Sequence, residues 1–101
     1  MKTKVSPTLE NIKAAKKRIS AVVQTTPLME NIQYSNRYAA NVLLKREDLQ
    51  QVRSYKIRGA YNKIAQRPNE KHVVCASAGN HAQGVAYTCH KLGIIGTIFM
   101  L

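Results

Sequence analysis

The sequence predicts an α/β protein built around a parallel sheet. Two apolar segments, 73–76 and 94–101, have the length and composition of strands, and a third strand is predicted at 42–45. Segments with apolar residues at helical spacing precede and separate them. Strands that alternate with helices in this way favour a parallel sheet. The length of 101 residues corresponds to one domain at most.

The first predicted helix has Ser6 as its cap and Pro7 at its first helical position. The Thr-Thr-Pro sequence at 25–27 is expected to end it. A short second helix is predicted over residues 34–40, before the strand at 42–45. The apolar residues of the first helix recur at helical spacing: Leu9, Ile12, Ala15, Ile19, Val22 and Val23.

A polar turn over residues 47–53 leads to Ser54, the predicted cap of the next helix. Apolar side chains follow it in the i, i+3, i+4, i+7, i+8 pattern, and Pro68 comes after its end. The strand 73–76 is expected to be buried. A last helix follows, with Gly93 as its C-terminal cap, and it leads into the strand 94–101.

Composition narrows the class of protein. Hydrophobic residues make up 45% of the chain, as in globular proteins and unlike disordered ones. Polar residues interrupt every apolar stretch, so no membrane span is predicted. The basic start, residues 1–4, lacks the apolar core of a secretory signal. Cys75 and Cys89 are too few for a disulfide framework, and we expect buried free thiols in the cytoplasm.

The formal net charge of +11 raises the question of a nucleic-acid partner. The cations are spread along the chain, and no aromatic residues interleave with them to form stacking platforms. We therefore expect a solvated helix face and no nucleic-acid partner. A basic, non-enzymatic binding module is the alternative from another class, and it would show steeply salt-dependent retention on DNA.

Lys56 has the most unusual predicted surroundings of the lysines. It falls in the first turn of its helix, where the positive end of the helix dipole disfavours an ammonium. Arg53 and Arg58 flank it, and no acidic residue occurs between Leu49 and Pro68. Both effects favour the neutral amine that a nucleophilic or imine-forming lysine requires. Position alone leaves an ordinary exposed lysine as the simpler interpretation.

The turn Ser77-Ala78-Gly79-Asn80-His81 is the second candidate site, between the end of a strand and the start of a helix. Free N–H groups at such a turn favour an anion, and ligands bind at the carboxyl ends of parallel strands. Gly79 allows a close approach of the backbone, and close packing would explain Gly84 within the helix. An ordinary capped turn is equally consistent with these residues.

Nucleotide and metal sites are not predicted. Val85 and Ala86 stand where a phosphate-binding P-loop requires lysine and serine or threonine, and the dinucleotide glycine pattern is absent. The histidines and cysteines match no standard zinc spacing: His72, Cys75, His81, Cys89 and His90.

Two motifs together resemble a known family. Lys45-Arg46-Glu47-Asp48-Leu49-Gln50, followed by residues 54–62, is similar to the cofactor-lysine segment of threonine dehydratases. Residues 77–86 resemble the asparagine loop of the same fold-type II pyridoxal-phosphate enzymes, whose fold is of the tryptophan synthase β type. The resemblance covers most of residues 8–101. Residues 47–50 are closer to the biosynthetic, isoleucine-pathway enzyme than to the catabolic one.

The resemblance implies pyridoxal 5'-phosphate as the cofactor, with Lys56 as its Schiff-base lysine and carrier of the α-proton. Tyr55, where relatives often have phenylalanine, would lie beside the cofactor ring, and Asn80 would bond to the ring oxygen. The substrate would be an amino acid: threonine, converted to 2-oxobutanoate and ammonia, with serine as a second substrate. Its carboxylate would be held by N–H groups around Ser77, Gly79, Asn80 and His81.

The resemblance also implies that residues 1–101 form only the N-terminal part of a catalytic domain. Relatives hold the cofactor phosphate with a run of glycines that lies further along the chain, whereas the five glycines here are isolated. We expect this part to be inactive alone, and the full-length form to be a homo-oligomer. A serine dehydratase or serine racemase is the alternative within the family. Turnover of threonine against serine separates the two.

Overall fold

Two small sheets organise residues 6–101, the part of the chain that the computed structural model describes. Strand β1 (Leu28–Glu30) pairs antiparallel with β2 (Leu43–Lys45), and β3 (His72–Ala76) pairs in parallel with β4 (Ile95–Phe99). The parallel pair agrees with the predicted class. Strand β2 lies within the predicted strand 42–45. Strand β1 and its antiparallel pairing with β2 were not predicted, because a strand of three residues is too short to show an alternating pattern. The basic residues 1–4 lie outside the described part.

Four helices connect and flank these strands within residues 6–101. They are α1 (Leu9–Ile19), α2 (Ile32–Tyr38), α3 (Lys56–Ala65) and α4 (Asn80–Leu92). Along the same residues, no helix has the length and apolar character needed to cross a bilayer.

Helix α1 differs from the prediction at both ends. Thr8, and not Ser6, is the cap: its extended backbone lets Oγ1 accept a hydrogen bond from the Asn11 N–H at 3.1 Å. Pro7 consequently precedes the helix. At the other end the helix stops at Ile19, well before the proline. The N–H groups of Val22 and Val23 both donate to the Ile19 carbonyl at 3.0 Å and close the last turn.

Helix α2 lies slightly earlier in the chain than the predicted 34–40. Asn31 caps it, with Oδ1 accepting from the Tyr34 N–H at 2.9 Å. The helix ends at Ala39, which adopts a left-handed conformation with φ of 49°. Both ends of α2 are therefore set by local backbone conformation, which the spacing of apolar residues does not indicate. Helix α4 ends as predicted, with Gly93 in the left-handed conformation at φ 66°.

Helices α3 and α4 pack on one face of the β3–β4 sheet and form the apolar core. The buried core side chains are Ala60, Ile64, Val85 and Cys89, with Val73, Cys75 and Ile94 packed against them. The opposite face is open among the described residues, and Val74 is 59% exposed there. The prediction that residues 73–76 form a buried strand is therefore wrong. Cys75 is only partly buried, whereas Cys89 is buried as predicted.

The two core helices are in close contact at Gly84. A Cβ atom there would lie 3.2 Å from both the carbonyl carbon and the oxygen of Lys56, and 3.3 Å from Cβ of Ala60. Because the first of these neighbours is backbone, it cannot move aside as a flexible side chain could. The close packing predicted to explain this helical glycine is confirmed.

We expect Gly84→Ala and Gly59→Ala to change stability in opposite directions. Gly84→Ala should lower the free energy of unfolding, because overpacking costs about 1–3 kcal/mol against a helix-propensity gain of about 1 kcal/mol. A Cβ at Gly59 meets nothing within 4 Å, so Gly59→Ala should keep the propensity gain. Urea denaturation of both variants measures the difference. Equal stabilisation by the two substitutions would contradict the close contact.

Candidate functional site

The start of α3 places Lys56 as the first residue of the helix, in the predicted first turn. The cap position belongs to Tyr55 and not to Ser54, so the predicted cap is displaced by one residue. Ser54 still contributes, because its buried hydroxyl accepts the Lys56 N–H at 3.4 Å. Arg53, with φ of 63°, turns the chain into this segment.

An ion pair changes the predicted charge around Lys56. Arg58 donates from Nε and Nη2 to the two carboxylate oxygens of Glu47, both at 2.8 Å. The Glu47 side chain is 13% exposed, and Thr26 donates a further hydrogen bond to it at 2.6 Å. Glu47 precedes the acid-free segment between Leu49 and Pro68. The expectation of two uncompensated arginines beside Lys56 is therefore wrong for Arg58.

The same contacts set the protonation of Glu47. Hydrogen bonds from Arg58 lower the pKa of Glu47 to about 2, and those from Thr26 and Gln50 act in the same direction. Partial burial opposes them and is outweighed. In the sequence, Glu47 stood out only as part of the motif at residues 45–50. The signal that could have identified the pair was two adjacent acids, Glu47 and Asp48, preceding an acid-free basic helix.

The turn 77–81 is organised by the Ser77 hydroxyl, which accepts the N–H groups of Gly79 at 3.3 Å and Ala82 at 3.2 Å. The Ser77 N–H donates to the Phe99 carbonyl at 3.0 Å and so extends the parallel pairing. These bonds make the turn a capped one. Among the residues that the structure describes, the N–H groups of Asn80 and His81 have no acceptor.

Three of the predicted site residues line one cleft of about 440 Å³: Tyr55, Lys56 and His81. Lys56 is half-buried, and its Nζ lies 5.7 Å from the ring centroid of Tyr55. That Nζ forms no hydrogen bond or ion pair with any residue from 6 to 101. Of these described residues, Ser77, Gly79 and Asn80 are not in the cleft wall. They form the adjoining turn, which leads directly into His81.

The histidines and cysteines take other positions. Within the described residues, no group of three or more His, Cys, Asp and Glu side chains is placed to hold a metal ion. His72 Nε2 lies 2.7 Å from Oγ1 of Thr97 on the neighbouring strand. Burial raises the pKa of the Cys89 thiol, and the nearby Cys75 adds to the increase.

The family of the chain follows from a comparison with known proteins. Residues 19–101 match the model of the pyridoxal-phosphate dependent enzyme family. The chain belongs to this family. It is 57% identical over 95 residues to the biosynthetic L-threonine dehydratase IlvA of Halalkalibacterium halodurans, covering 91% of this chain and 23% of that protein. Against three such curated relatives, the chain spans between 22% and 24% of their length.

Solved structures agree on the fold. A threonine deaminase from T.th. superposes on 93% of this chain and 38% of its own, with a TM-score of 0.81 and 34% identity. Maize serine racemase superposes on 91% of this chain and 30% of its own, with a TM-score of 0.83 and 33% identity. The fold is that of the fold-type II pyridoxal-phosphate enzymes, as the two motifs indicated.

The groups at the cleft suit pyridoxal phosphate chemically. Lys56 offers a primary amine with no acidic partner among residues 6–101, and Tyr55 offers an aromatic ring next to it. The unpaired amides of Asn80 and His81, at the positive end of α4, are donors suited to an anion. An amine and an aromatic face are what an aldehyde-bearing aromatic cofactor requires, and the anion donors suit a carboxylate bound beside it.

We expect stability to fall in acid through Glu47. The pKa of Glu47 in the folded protein, about 2, lies below its ordinary value of 4.5. The contribution of Glu47 to the free energy of unfolding is therefore fully present above pH 4.5. The contribution is lost as the pH falls through the pKa of the folded state. Glu47→Gln should lower stability at neutral pH and flatten this acid-dependent loss in urea denaturation.

Asp48→Asn is the matched control for Glu47→Gln. Asp48 forms a similar pair with Arg46 at 2.8 Å, but its side chain is 57% exposed. Exposed pairs contribute little, about 0–1 kcal/mol. If Asp48→Asn removed the loss of stability in acid and Glu47→Gln left that loss intact, the role given to Glu47 would be contradicted.

Proposed function

We propose that this chain is part of a pyridoxal-phosphate dependent threonine dehydratase, which converts L-threonine to 2-oxobutanoate and ammonia. The observation that carries the proposal is the backbone contact of Gly84 with Lys56, by which α4 packs against the start of α3. Lys56 and His81 consequently share one cleft. Relatives that are 52–57% identical and named biosynthetic L-threonine dehydratase support the reaction.

Lys56 holds the cofactor through its amine and moves the proton at the substrate Cα. It suits this role because it is half-buried and its Nζ is not engaged by a carboxylate from residues 6–101. Pyridoxal 5'-phosphate, when bound, supplies an electron sink that makes loss of the Cα proton possible. Tyr55 presents its aromatic ring to the cofactor, and Asn80 donates from its side-chain amide to the ring oxygen.

The turn 77–81 binds the substrate carboxylate. The N–H groups of Asn80 and His81 are available for it, and the Ser77 hydroxyl lies next to them. Gly79 leaves open space, since a Cβ there would have no neighbour within 4 Å. An anion at this position faces the positive end of the helix dipole of α4. Serine carries the same carboxylate and a β-hydroxyl, so it is proposed as a second substrate.

The pathway, location and assembly that we propose for the protein are based on its relatives. The relatives' name, biosynthetic IlvA, supports a place in isoleucine biosynthesis. A cytoplasmic location is proposed on the family resemblance. The share of those relatives that the chain covers supports residues 1–101 as an N-terminal part of the catalytic domain. A homo-oligomer is proposed for the full-length form on the family resemblance. Serine racemase is the second candidate activity and is less favoured, because the maize enzyme is 33% identical to this chain and the threonine dehydratases are 52–57% identical.

A chimaera tests the reaction: this chain replaces the aligned segment of the Halalkalibacterium halodurans relative. We expect it to form 2-oxobutanoate from threonine, and Lys56→Ala to abolish both turnover and the visible absorbance of the bound cofactor. Lys63→Ala, in the last turn of the same helix, should have little effect. Turnover retained by Lys56→Ala would disprove the assignment, and racemisation of serine without dehydration of threonine would favour the second candidate.

Asn80→Ala in the same chimaera should weaken cofactor binding or lower kcat by an amount equivalent to about 1.5–3 kcal/mol, the range for a hydrogen bond to a charged group. Gln83→Ala, on an exposed position of the same helix, is the control. Titration with the cofactor and steady-state kinetics give both quantities. Activity lost to a chelator and restored by zinc would instead point to a metal site.

A further inference from the structure

Glu47 is the acid that reaches the helix carrying Lys56. It begins a short 3₁₀ helix, Glu47–Leu49, ahead of α3 in the chain. Its two oxygens accept hydrogen bonds from Nε and Nη2 of Arg58, both at 2.8 Å, so the guanidinium is held in two directions at once. Arg58 lies in the first turn of α3, two residues after Lys56.

The carboxylate is itself anchored on its other side. The Thr26 hydroxyl donates to Glu47 Oε1 at 2.6 Å, and Thr26 is buried. Gln50, which is 1% exposed, donates to the Gln24 carbonyl at 2.8 Å and accepts the Gln24 N–H at 3.0 Å. Lys45 donates to the Thr26 carbonyl. Because these bonds fix the segment around Glu47, the ion pair connects α3 to a rigid support.

The first turn of α3 has little capping of its own. Tyr55 stands at the cap position but provides no side-chain hydrogen bond to the helix. The bond from the Lys56 N–H to the Ser54 hydroxyl is long, at 3.4 Å. Gly84 limits the movement of Lys56 on one side only. The contact of Glu47 with Arg58 supplies a second fixed point for this turn, and it also neutralises a cation close to the amine.

We propose that Glu47 is a positioning residue for Lys56, acting through Arg58 to fix the turn that presents the amine. The inference rests on the proposed function of Lys56 as the cofactor lysine. Asp48 provides the natural comparison, since it makes an equally short pair with Arg46 but is exposed and, among residues 6–101, forms no hydrogen bond or ion pair with α3. If a substitution at Glu47 affects Lys56 and a substitution at Asp48 does not, the effect is due to the contact of Glu47 with α3.

The test uses the chimaera with the Halalkalibacterium halodurans relative, which supplies the rest of the catalytic domain, and limiting pyridoxal phosphate. Borohydride makes the lysine–cofactor linkage permanent, and peptide mass spectrometry gives the ratio of label on Lys56 to label on Lys63. Lys63 is in the last turn of α3 and reports on the state of the helix as a whole. Unmodified protein should label Lys56 preferentially across the pH range in which amines react.

We expect Glu47→Gln to reduce the Lys56 to Lys63 ratio by about tenfold, the low end of the range for a lost charged hydrogen bond. Asp48→Asn should leave the ratio unchanged. The double variant Glu47→Gln/Arg58→Gln should lose no more than Arg58→Gln alone, because coupled residues do not add. If Glu47→Gln does not fold, Thr26→Val, which removes only the 2.6 Å bond to the same carboxylate, should lower the ratio in the same direction.

The outcomes distinguish the inference about Glu47 from the function proposed for Lys56. An unchanged ratio in folded Glu47→Gln, or additive losses in the double variant, would overturn the inference about Glu47 alone. Unmodified protein with no preference for Lys56 over Lys63 would overturn the function proposed for Lys56, and with it the inference. A parallel fall in label on both lysines would show a general loss of α3 and would also count against positioning.

Discussion

Helices α3 and α4 meet through backbone at Gly84 and Lys56, and this contact fixes the distance between the two halves of the site. A Cβ atom at Gly84 would lie 3.2 Å from the carbonyl carbon and oxygen of Lys56, which is closer than an ordinary van der Waals contact. The close approach lets Ala60 and Val85 complete the core against the sheet. The same approach sets the cleft shared by Lys56 and His81. One small residue thus determines both packing and site geometry.

Buried polar contacts help to attach the first half of the chain to this core. Thr26, Gln50 and Glu47 are buried or nearly so, and each is satisfied by hydrogen bonds. A buried ion pair adds little to the free energy of unfolding, because the cost of desolvating the two charges offsets their attraction. It does impose direction, because its geometry is satisfied in only one arrangement. The arrangement therefore suits a role in orientation, here the orientation of the first turn of α3.

Apolar periodicity predicted the helices and the parallel strands, because these depend on residues close in sequence. It failed where the decisive contact is distant or depends on backbone angles. Thr8 caps α1 through its own extended conformation, and Glu47 reaches Arg58 from another element. Burial of the strand 73–76 was also overestimated, since apolar residues indicate a strand but not how many of its faces are covered. The placement of Lys56 at a helix start was predictable; the support of that start was not.

The sequence left two interpretations of the turn 77–81, a capped turn and an anion site, and the geometry makes them compatible. The Ser77 hydroxyl takes the N–H groups of Gly79 and Ala82, so the cap is made by a side chain from before the helix. The amides of Asn80 and His81 then lie between the two that are capped and have no acceptor within residues 6–101. Their dipoles add to the positive end of α4. Capping by Ser77 therefore orders the turn while leaving the central donors for a ligand, which a cap at Gly79 could not do because glycine has no side-chain acceptor.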